Sequence, residues 1–335
     1  MASGEPLKSP TTPLSIAPPW SLAHLLEKMG GTSFQARNLQ RAATIWEEML
    51  KGETFIFFGL SGAMVPAGLR PVITYLIKNR LIDCIVSTGA NLFHDLHETM
   101  GYYHFQCQPG NDEHLRQEEL DRIYDTLIRA KELEKGEDFI ARFSSRLSPE
   151  KPLGSREYLH LIGKELSSQA KAEGILVSAY RSGVPIFCPA LADSVFGTAL
   201  AAARIKYGSQ LKWDIAQDVI DIIQLCAKAP ATGIVLVGGG TPKNFIQQAP
   251  VCVGLFGQAV RGHKYAVQIT TDSPQWGGLS GCTFEEARSW GKIAGGAGTV
   301  AVYADATIAL PIVVSALAER CQAILPRKGL EIPLG

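Results

Sequence analysis

The sequence predicts an α/β fold in which helices cover both faces of a mostly parallel sheet. Short apolar runs of the kind that form buried strands recur along the 335 residues. All of these runs except one, residues 265–269, pass quickly into small or acidic residues, and helical patterns separate the runs, which is the alternation of βα units. Because no linker interrupts this alternation, we expect one Rossmann-like, doubly wound domain over residues 20–325.

Six apolar runs are the predicted strands. The first, Thr54 to Phe58, is continuously apolar after its threonine, as expected of a strand that is buried on both faces. The clearest, Thr232 to Val237, leads directly into three glycines. The six strands are expected at residues 54–58, 83–87, 184–188, 232–237, 265–269 and 299–303.

Helical patterns precede and separate these strands. Apolar residues at helical spacing predict helices over residues 21–29, 34–50, 66–79, 92–100, 156–172, 214–229 and 308–321. In the helix over 214–229, we expect Ile220, Ile223 and Leu225 to face the core. The more polar stretch 102–154 is predicted to contain a helix from Glu118 to Leu133.

Residues 1–19 are rich in proline, serine and threonine. Such residues cannot bury enough apolar surface to become ordered, so this stretch is predicted to be a flexible N-terminal segment.

Composition excludes several classes of protein. Basic and acidic residues balance at 32 each, whereas a nucleic-acid or anionic-membrane binder would carry a basic excess. No apolar run reaches the ~18 residues that a membrane helix needs, and no secretory signal is apparent. The seven cysteines lie far apart without a C-x-x-C motif, so neither a zinc cluster nor a disulfide framework is expected. We expect a cytoplasmic protein with reduced thiols and no metal.

The ends of the predicted strands suggest a ligand site. Ligands of doubly wound sheets bind at the carboxyl ends of the strands. Glycines let a pyrophosphate approach backbone N–H groups, and an acid can accept ribose hydroxyls. The triplet Gly238–Gly240 is not the G-x-G-x-x-G fingerprint, and a tight turn alone would explain it. Five strand ends with small or acidic residues nevertheless predict a dinucleotide pocket.

The segment from Glu286 to Lys292 contains an acid, an indole and a lysine within seven positions, and it lies between two Gly-rich loops. A lysine can act as a Schiff-base nucleophile if burial leaves it as a free amine. From these residues alone, a solvated lysine at a helix end is the alternative.

Two histidines, His94 and His97, are spaced so that they could share a metal ion on one helix face. No third ligand is apparent, so we expect His94 to be an active-site residue beside the ligand loop. We expect His97 to be a surface histidine.

Six motifs follow one another along the chain: Ser87–Asn91 with Asp95, Arg122–Asp125, Pro189–Asp193, Gly238–Gly240 with Lys243, Glu286–Lys292 and Tyr303–Ala306. In order and spacing they resemble the deoxyhypusine synthase family over about residues 50–320. The pair Ser-Trp-Gly-Lys and Tyr-Ala-Asp-Ala is highly specific for that family.

This resemblance implies an NAD-binding fold and a transferase. In the family, NAD takes a hydride from the secondary amine of spermidine, and a catalytic lysine captures the resulting imine together with its aminobutyl group. An acceptor amine then displaces the lysine, and the hydride is returned. Family members are homotetramers whose sites are shared across a dimer interface, and an N-terminal segment can cover the entrance. Residues 1–19 are therefore either such a cover or an unstructured tail.

The resemblance also assigns site residues. Lys292 is the implied nucleophile, and Glu286 and Trp290 line the implied amine channel, since a carboxylate pairs with an ammonium and an indole face attracts a cation. The implied NAD-binding positions are Ser61, Gly62, Thr88, Gly89, Asp193, Gly239, Gly240, Ser280, Asp305 and Ala306.

Several substrate positions depart from the family pattern. Leu279 and Thr198 replace acids, Asn244 replaces a histidine, and His94 replaces one of two adjacent glutamates. Losing two carboxylates would cost a trication several kcal/mol of binding, at roughly 1.5–3 kcal/mol per charged hydrogen bond. We therefore expect small-amine substrates that are less cationic or carry a carboxylate, with an acceptor in the manner of homospermidine synthase.

Two alternatives stay open at this point. One is deoxyhypusine synthase itself, which modifies a lysine of the translation initiation factor 5A precursor. The other is an NAD-binding regulatory protein without catalysis. A sirtuin-like deacylase is disfavoured because the cysteines cannot form the zinc site of that family.

Overall fold

The computed structural model describes residues 10–16, 18–108, 110–147 and 151–334. Within these ranges it has nine strands: β1 Thr54–Leu60, β2 Cys84–Ser87, β3 Phe105–Gln106, β4 Leu120–Ile123, β5 Thr126–Arg129, β6 Ile186–Phe187, β7 Ala231–Val237, β8 His263–Thr270 and β9 Ile293–Tyr303. The α-helices of the same ranges are α1 Leu22–Met29, α2 Phe34–Lys51, α3 Arg70–Lys78, α4 Gly89–Thr99, α5 Asp112–Gln117, α6 Ala130–Arg146, α7 Ser155–Ser167, α8 Ile175–Ser182, α9 Val195–Tyr207, α10 Ile215–Lys228, α11 Gly240–Gln248, α12 Phe284–Ser289 and α13 Ala306–Arg320.

The main sheet confirms the predicted doubly wound α/β fold. Its strand order is β6-β2-β1-β7-β8-β9, and every neighbouring pair is parallel. Counted in chain order within this sheet, the strands run 3-2-1-4-5-6, so the topology reverses between β1 and β7. In such sheets a crevice opens at that reversal, beyond the carboxyl ends of the two strands.

The central strand β1 shows why the sheet is buried on both faces. All seven of its residues are buried, and alternate side chains point into two separate apolar clusters. Ile56 and Phe58 join the cluster that contains Trp46 of α2, whereas Phe55 and Phe57 join the cluster on the opposite face. This pattern is why a continuously apolar run, and not an alternating one, marks the strand.

The helix predicted from Glu118 to Leu133 is wrong. In its place, β4 and β5 form an antiparallel hairpin, and β3 pairs with β5. Leu120, Ile123 and Leu127 have helical spacing, but the same residues also suit two short strands around a tight turn. Helix α6 begins only at Ala130, after the hairpin has ended.

Three smaller expectations also need correction. Helix α4 begins at Gly89, three residues before the predicted start, so the loop glycine is its first residue. Ile220 does not face the core, because its side chain is 45% exposed, although Ile223 and Leu225 are buried as predicted. The second of the two Gly-rich loops predicted around the Glu286–Lys292 segment, Gly295 to Gly298, is not a separate loop but lies inside β9, where the pairing with β8 shifts register.

The N-terminal prediction falls partly outside the described residues, which exclude 1–9 and 17. Residues 10–16 form no helix or strand, and the Thr12 amide donates to the Gly31 carbonyl at 2.8 Å. Within the described ranges, no helix combines the length and apolarity needed to cross a bilayer.

The segment after residue 325 packs onto the domain through a buried arginine. Arg327 donates to the Asp83 carboxylate at 2.5 Å and to the carbonyl oxygens of Arg80 and Thr54 at 2.9 and 3.2 Å. The same Asp83 oxygen accepts from the Ile56 amide of β1 at 2.9 Å. The ion pair therefore ties this segment to the central strand.

We expect Arg327→Ala to destabilise the protein by about 3–5 kcal/mol, because it leaves the Asp83 carboxylate buried without a counter-charge. Urea unfolding followed by circular dichroism measures this loss. Arg142→Ala is the matched control, since its ion pair with Asp138 is exposed and should contribute less than about 1 kcal/mol. Equal losses in the two variants would contradict the prediction.

Candidate active site

The loops at the carboxyl ends of β1 and β7 are joined at the topological reversal. The Ser61 hydroxyl donates to the Gly239 carbonyl at 2.6 Å, and its amide donates to the Val237 carbonyl at 3.1 Å. A Cβ on Gly239 would lie 2.5 Å from the Cα of Ser280, so only glycine fits there. The Ser280 hydroxyl in turn accepts from the Gly240 amide at 3.1 Å. Four predicted cofactor residues therefore form one cluster.

Asn91 connects the loops after β1 and β2. Its amide nitrogen donates to the Gly62 carbonyl at 2.6 Å and to the Thr88 hydroxyl at 3.1 Å. Its amide oxygen accepts from the Val65 amide at 3.2 Å. Asn91 belongs to a motif quoted above, but the sequence alone did not show that it cross-links these two loops.

Gly89 lies against the loop that carries Asp193. A Cβ on Gly89 would lie 2.3 Å from the Ser194 hydroxyl, so glycine is required for this close approach. Asp193 itself is exposed at the carboxyl end of β6. The structure thus places Gly62, Thr88, Gly89 and Asp193 along the same edge of the sheet.

Asp305 caps helix α13, which begins at Ala306. Its carboxylate accepts from the Thr307 amide and hydroxyl, both at 2.7 Å, and these bonds lower the pKa of Asp305. Helices α4, α11 and α13 each begin within a few residues of the end of a sheet strand. Their N-termini favour a negatively charged group at this edge. Together with the close-packed glycines, this arrangement fits a dinucleotide.

Lys292 lies between α12 and β9 with a fixed backbone. Its amide donates to the Ala287 carbonyl and its carbonyl accepts from the His263 amide, both at 3.0 Å. Its ammonium nitrogen lies 3.4 Å from the Asn244 amide oxygen and 5.5 Å from the centre of the Trp290 ring. The predicted nucleophile therefore contacts two of the predicted substrate residues.

Glu286 lies in α12, the helix that precedes Lys292, and Leu279 lies in the short turn before that helix. The Thr283 hydroxyl accepts from the Glu286 amide at 3.1 Å, which places Glu286 in the first turn of α12. The Glu286 carboxylate is close enough to Cys282 to affect its thiol. Burial raises the pKa of that thiol, the positive charge of Lys243 lowers it, and the charge of Glu286 raises it further. Leu279 is 41% exposed in the turn that carries Ser280. Leu279 therefore adjoins Ser280, whereas Glu286 acts on the groups beside Lys243.

Lys243 is a second lysine of the site whose role the sequence did not show. It is fully buried in α11, and its ammonium donates to the Gln268 amide oxygen at 2.9 Å and to the carbonyls of Ser280 and Cys282 at 3.2 and 2.6 Å. Burial lowers the pKa of Lys243 to about 8, and the positive charge of Lys292 contributes to this. Its place in the glycine-triplet motif was the available signal.

We expect the stability contributed at Lys243 to depend on pH. Its pKa of about 8 in the folded protein lies below its ordinary value of 10.5, so the unfolded chain holds more protons between these values. The stability of the native protein should therefore rise from pH 8 towards pH 10.5 relative to a Lys243→Met variant. Urea unfolding of both proteins across this range measures the difference, and a difference independent of pH would contradict the prediction.

His94 belongs to a histidine cluster on α4 and the following loop. It shares a hydrogen bond with His104 at 3.0 Å, and His104 shares one with Glu98 at 2.8 Å. Burial, followed by the charges of His104 and His97, lowers the pKa of His94 to about 4. His97 is fully buried, so its prediction as a surface histidine is wrong. In the described chain, the hydrogen bonds of His94 join it to this cluster and not to Lys292.

Comparison with known proteins gives a consistent result. The family model described as deoxyhypusine synthase matches residues 24–317. "Probable deoxyhypusine synthase 2" of Methanosarcina mazei is 50% identical over 319 residues, covering 94% of this chain and 92% of that protein. "Probable deoxyhypusine synthase 1" of the same organism is 41% identical over 321 residues, covering 95% and 98%. An Entamoeba histolytica crystal structure, provisionally named a deoxyhypusine synthase, shares the fold with a TM-score of 0.61 at 20% identity, covering 89% of this chain and 93% of that one.

Proposed function

The chain belongs to the deoxyhypusine synthase family, and on this premise we propose that it is an NAD-dependent transferase of an aminobutyl or similar alkylamine group. The observation that carries the proposal is the position of Lys292. It lies beside Trp290 and beside Asn244, and Asn244 belongs to α11, the helix that follows the Gly238–Gly240 loop. The domain over residues 20–325 would hold both the cofactor and the amine substrates.

We assign the covalent step to Lys292. Bound NAD would supply the hydride acceptor for the donor amine and the hydride donor for the final product. The neutral amine of Lys292 adds to the imine carbon of the oxidised donor, and the former amine group leaves as a diamine with the electrons of its carbon–nitrogen bond. The acceptor amine displaces Lys292 in the same way. Asn244, which accepts from the Lys292 nitrogen, would orient the lone pair of that nitrogen.

The residues around Lys292 support a small amine of low charge as the acceptor. Glu286 offers a carboxylate for one ammonium group, and the Trp290 ring offers a face for a cation. Asn244 beside Lys292 adds no negative charge, and Leu279 and Thr198 stand at positions where the family pattern has acids. A substrate with fewer cationic groups therefore loses less binding energy here than spermidine does. We propose an acceptor of the kind that homospermidine synthase uses.

The exposure of Trp290 favours a second candidate function. Trp290 is 65% exposed, so a lysine carried by a protein could reach this region. Deoxyhypusine synthase activity on the translation initiation factor 5A precursor is the corresponding alternative. We further propose that the chain forms a homotetramer with its sites at a dimer interface, which would cover this exposed ring. Light scattering of the purified protein tests the tetramer.

Product analysis tests the proposed function. The purified protein is incubated with NAD, spermidine and one acceptor at a time: a small diamine, agmatine or the factor 5A precursor. Mass spectrometry should detect released diaminopropane and an alkylated small amine. Alkylation of the precursor alone would establish the second candidate. If no donor releases a diamine and borohydride traps no adduct on Lys292, the protein is not this transferase, and an NAD-binding regulatory role takes its place.

A further inference from the structure

A large cavity lies between the cofactor edge of the main sheet and the β4–β5 hairpin, whose turn carries the Arg122–Asp125 motif. Its volume is about 840 Å³, within the range of small-molecule pockets. One wall consists of the loop after β1, including Met64, and of Asp305 with Thr307 at the start of α13. The other wall consists of the β4–β5 turn, where Tyr124 and Asp125 lie. The cavity thus extends the cofactor edge of the sheet.

The backbone of Tyr124 is strained. Ile123 pairs with Thr126, so Tyr124 and Asp125 form a two-residue turn, and Tyr124 has a φ of +53°. Glycine is the favoured residue at such a turn position, because it has no Cβ to clash. A tyrosine there costs conformational free energy. The ring is nevertheless 77% exposed, so it gains little from burial in the free protein.

Hydrogen bonds hold this turn rigid. The Arg122 guanidinium donates to the Tyr124 carbonyl at 2.5 Å and to both oxygens of Asp112 at 2.6 and 2.7 Å. The Cys107 amide donates to the Asp125 carbonyl at 2.8 Å. The tyrosine ring is therefore presented at the cavity from a fixed backbone, as a preorganised contact would be.

The chemistry of the cavity selects a class of ligand. It offers an aromatic face, two carboxylates and apolar side chains, and no lysine or arginine is among its lining residues in the described chain. An aromatic face stacks on a nucleobase, and carboxylates accept ribose hydroxyls. A phosphate on the ribose would instead require a cationic partner, as in NADP-binding proteins.

We propose that Tyr124 and Asp125 form the outer wall of the adenosine site of NAD, opposite Asp305, and that this wall selects NAD over NADP. The proposal rests on the proposed function, which requires NAD. Tyr124 stacks on the adenine, and Asp125 accepts a ribose hydroxyl across the cavity from Asp305. Both residues are binding residues and take no part in group transfer.

Calorimetric titration of the purified protein tests this proposal without an activity assay. Wild-type protein should bind NAD and ADP-ribose. It should bind NADP at least about 10-fold more weakly, because the described lining of the cavity offers no cationic side chain to the ribose phosphate of NADP. Tyr124→Ala should weaken the binding of NAD and of ADP-ribose about 10-fold, because the stacking contact is lost. Tyr124→Phe should bind as wild type does. Tyr103→Ala is the matched control, because Tyr103 is exposed but does not line the cavity.

A glycine variant separates binding from folding. Tyr124→Gly relieves the backbone strain, so the thermal midpoint of the free protein should not fall while NAD binding weakens as in Tyr124→Ala. Asp125→Asn should narrow the preference for NAD over NADP. If wild-type protein binds NAD but Tyr124→Ala and Tyr124→Gly bind it equally well, this inference is wrong and the proposed function stands. If wild-type protein does not bind NAD, the proposed function fails as well.

Discussion

Lys292→Ala is expected to abolish group transfer, with a loss of at least about 1,000-fold in turnover, because no other group in the described site is placed to form the covalent intermediate. Lys243 is close but cannot substitute. Its ammonium is fully buried and already donates to Gln268 and to two backbone carbonyls. Removing Lys292 should therefore leave the donor bound but untransferred.

The measurement separates binding from chemistry. Calorimetry should show that Lys292→Ala still binds NAD with an affinity close to that of wild type. Borohydride treatment of wild-type protein with NAD and donor amine should leave an alkylamine adduct on Lys292, and the variant should carry none. Lys264→Ala is the matched control, since Lys264 is exposed on the neighbouring strand β8 and should retain full activity. If Lys292→Ala retained more than a tenth of the wild-type turnover, Lys292 would not be the catalytic nucleophile.

The strands of the main sheet were predictable because burial on both faces requires continuous apolar runs. Thr54 to Phe58 could hardly be anything other than a central strand, and the observed β1 extends it by two residues to Leu60. The alternation of βα units limits the sheet to a few topologies, but it did not by itself predict the observed strand order. The register shift inside β9 was not predictable, because glycines suit a turn and a bulge equally well.

The hairpin over β4 and β5 shows where local pattern fails. Helical and strand spacing coincide at Leu120, Ile123 and Leu127, so the periodicity cannot decide between them. The hydrogen bonds from Arg122 to Asp112 and from Cys107 to Asp125 support the turn, and both link segments that are separate in the chain. Such tertiary contacts override local propensity and cannot be read from one segment.

The candidate site was predictable as a set of residue types but not as a network. Motifs indicated Gly239 and Lys292, and the family resemblance indicated Ser61, because close approach and covalent chemistry each demand particular residues. The burial of Lys243 and of His97 depends on what packs around them, which spacing alone does not report. The buried ion pair of Arg327 with Asp83 joins residues 244 positions apart and left no pattern in the sequence.

Restoring the acid and the imidazole of the family pattern at positions 279 and 244 is expected to change which amine the protein prefers. The family resemblance implies an acid at position 279 and a histidine at position 244, where this chain has leucine and asparagine. Leu279→Asp combined with Asn244→His should improve kcat/KM for spermidine about 10-fold relative to a small diamine. This is at the low end of roughly 1.5–3 kcal/mol per charged hydrogen bond, because Leu279 is 41% exposed and solvent screens the new charge.

The direction of this change distinguishes selectivity from general electrostatics. A carboxylate at position 279 attracts every cation, but it stabilises the bound amine with the most positive charge most strongly. The ratio of kcat/KM for spermidine to kcat/KM for the diamine should therefore rise. Leu255→Asp is the matched control, because Leu255 is 80% exposed and is none of the predicted site residues, and it should leave that ratio unchanged. The increased preference of the double variant for spermidine should diminish with added salt, because salt screens solvent-exposed charges. If the double variant raises kcat/KM for spermidine and for the diamine equally, residues 279 and 244 do not determine which amine is preferred. The absence of an acid at position 279 is then no guide to the substrate.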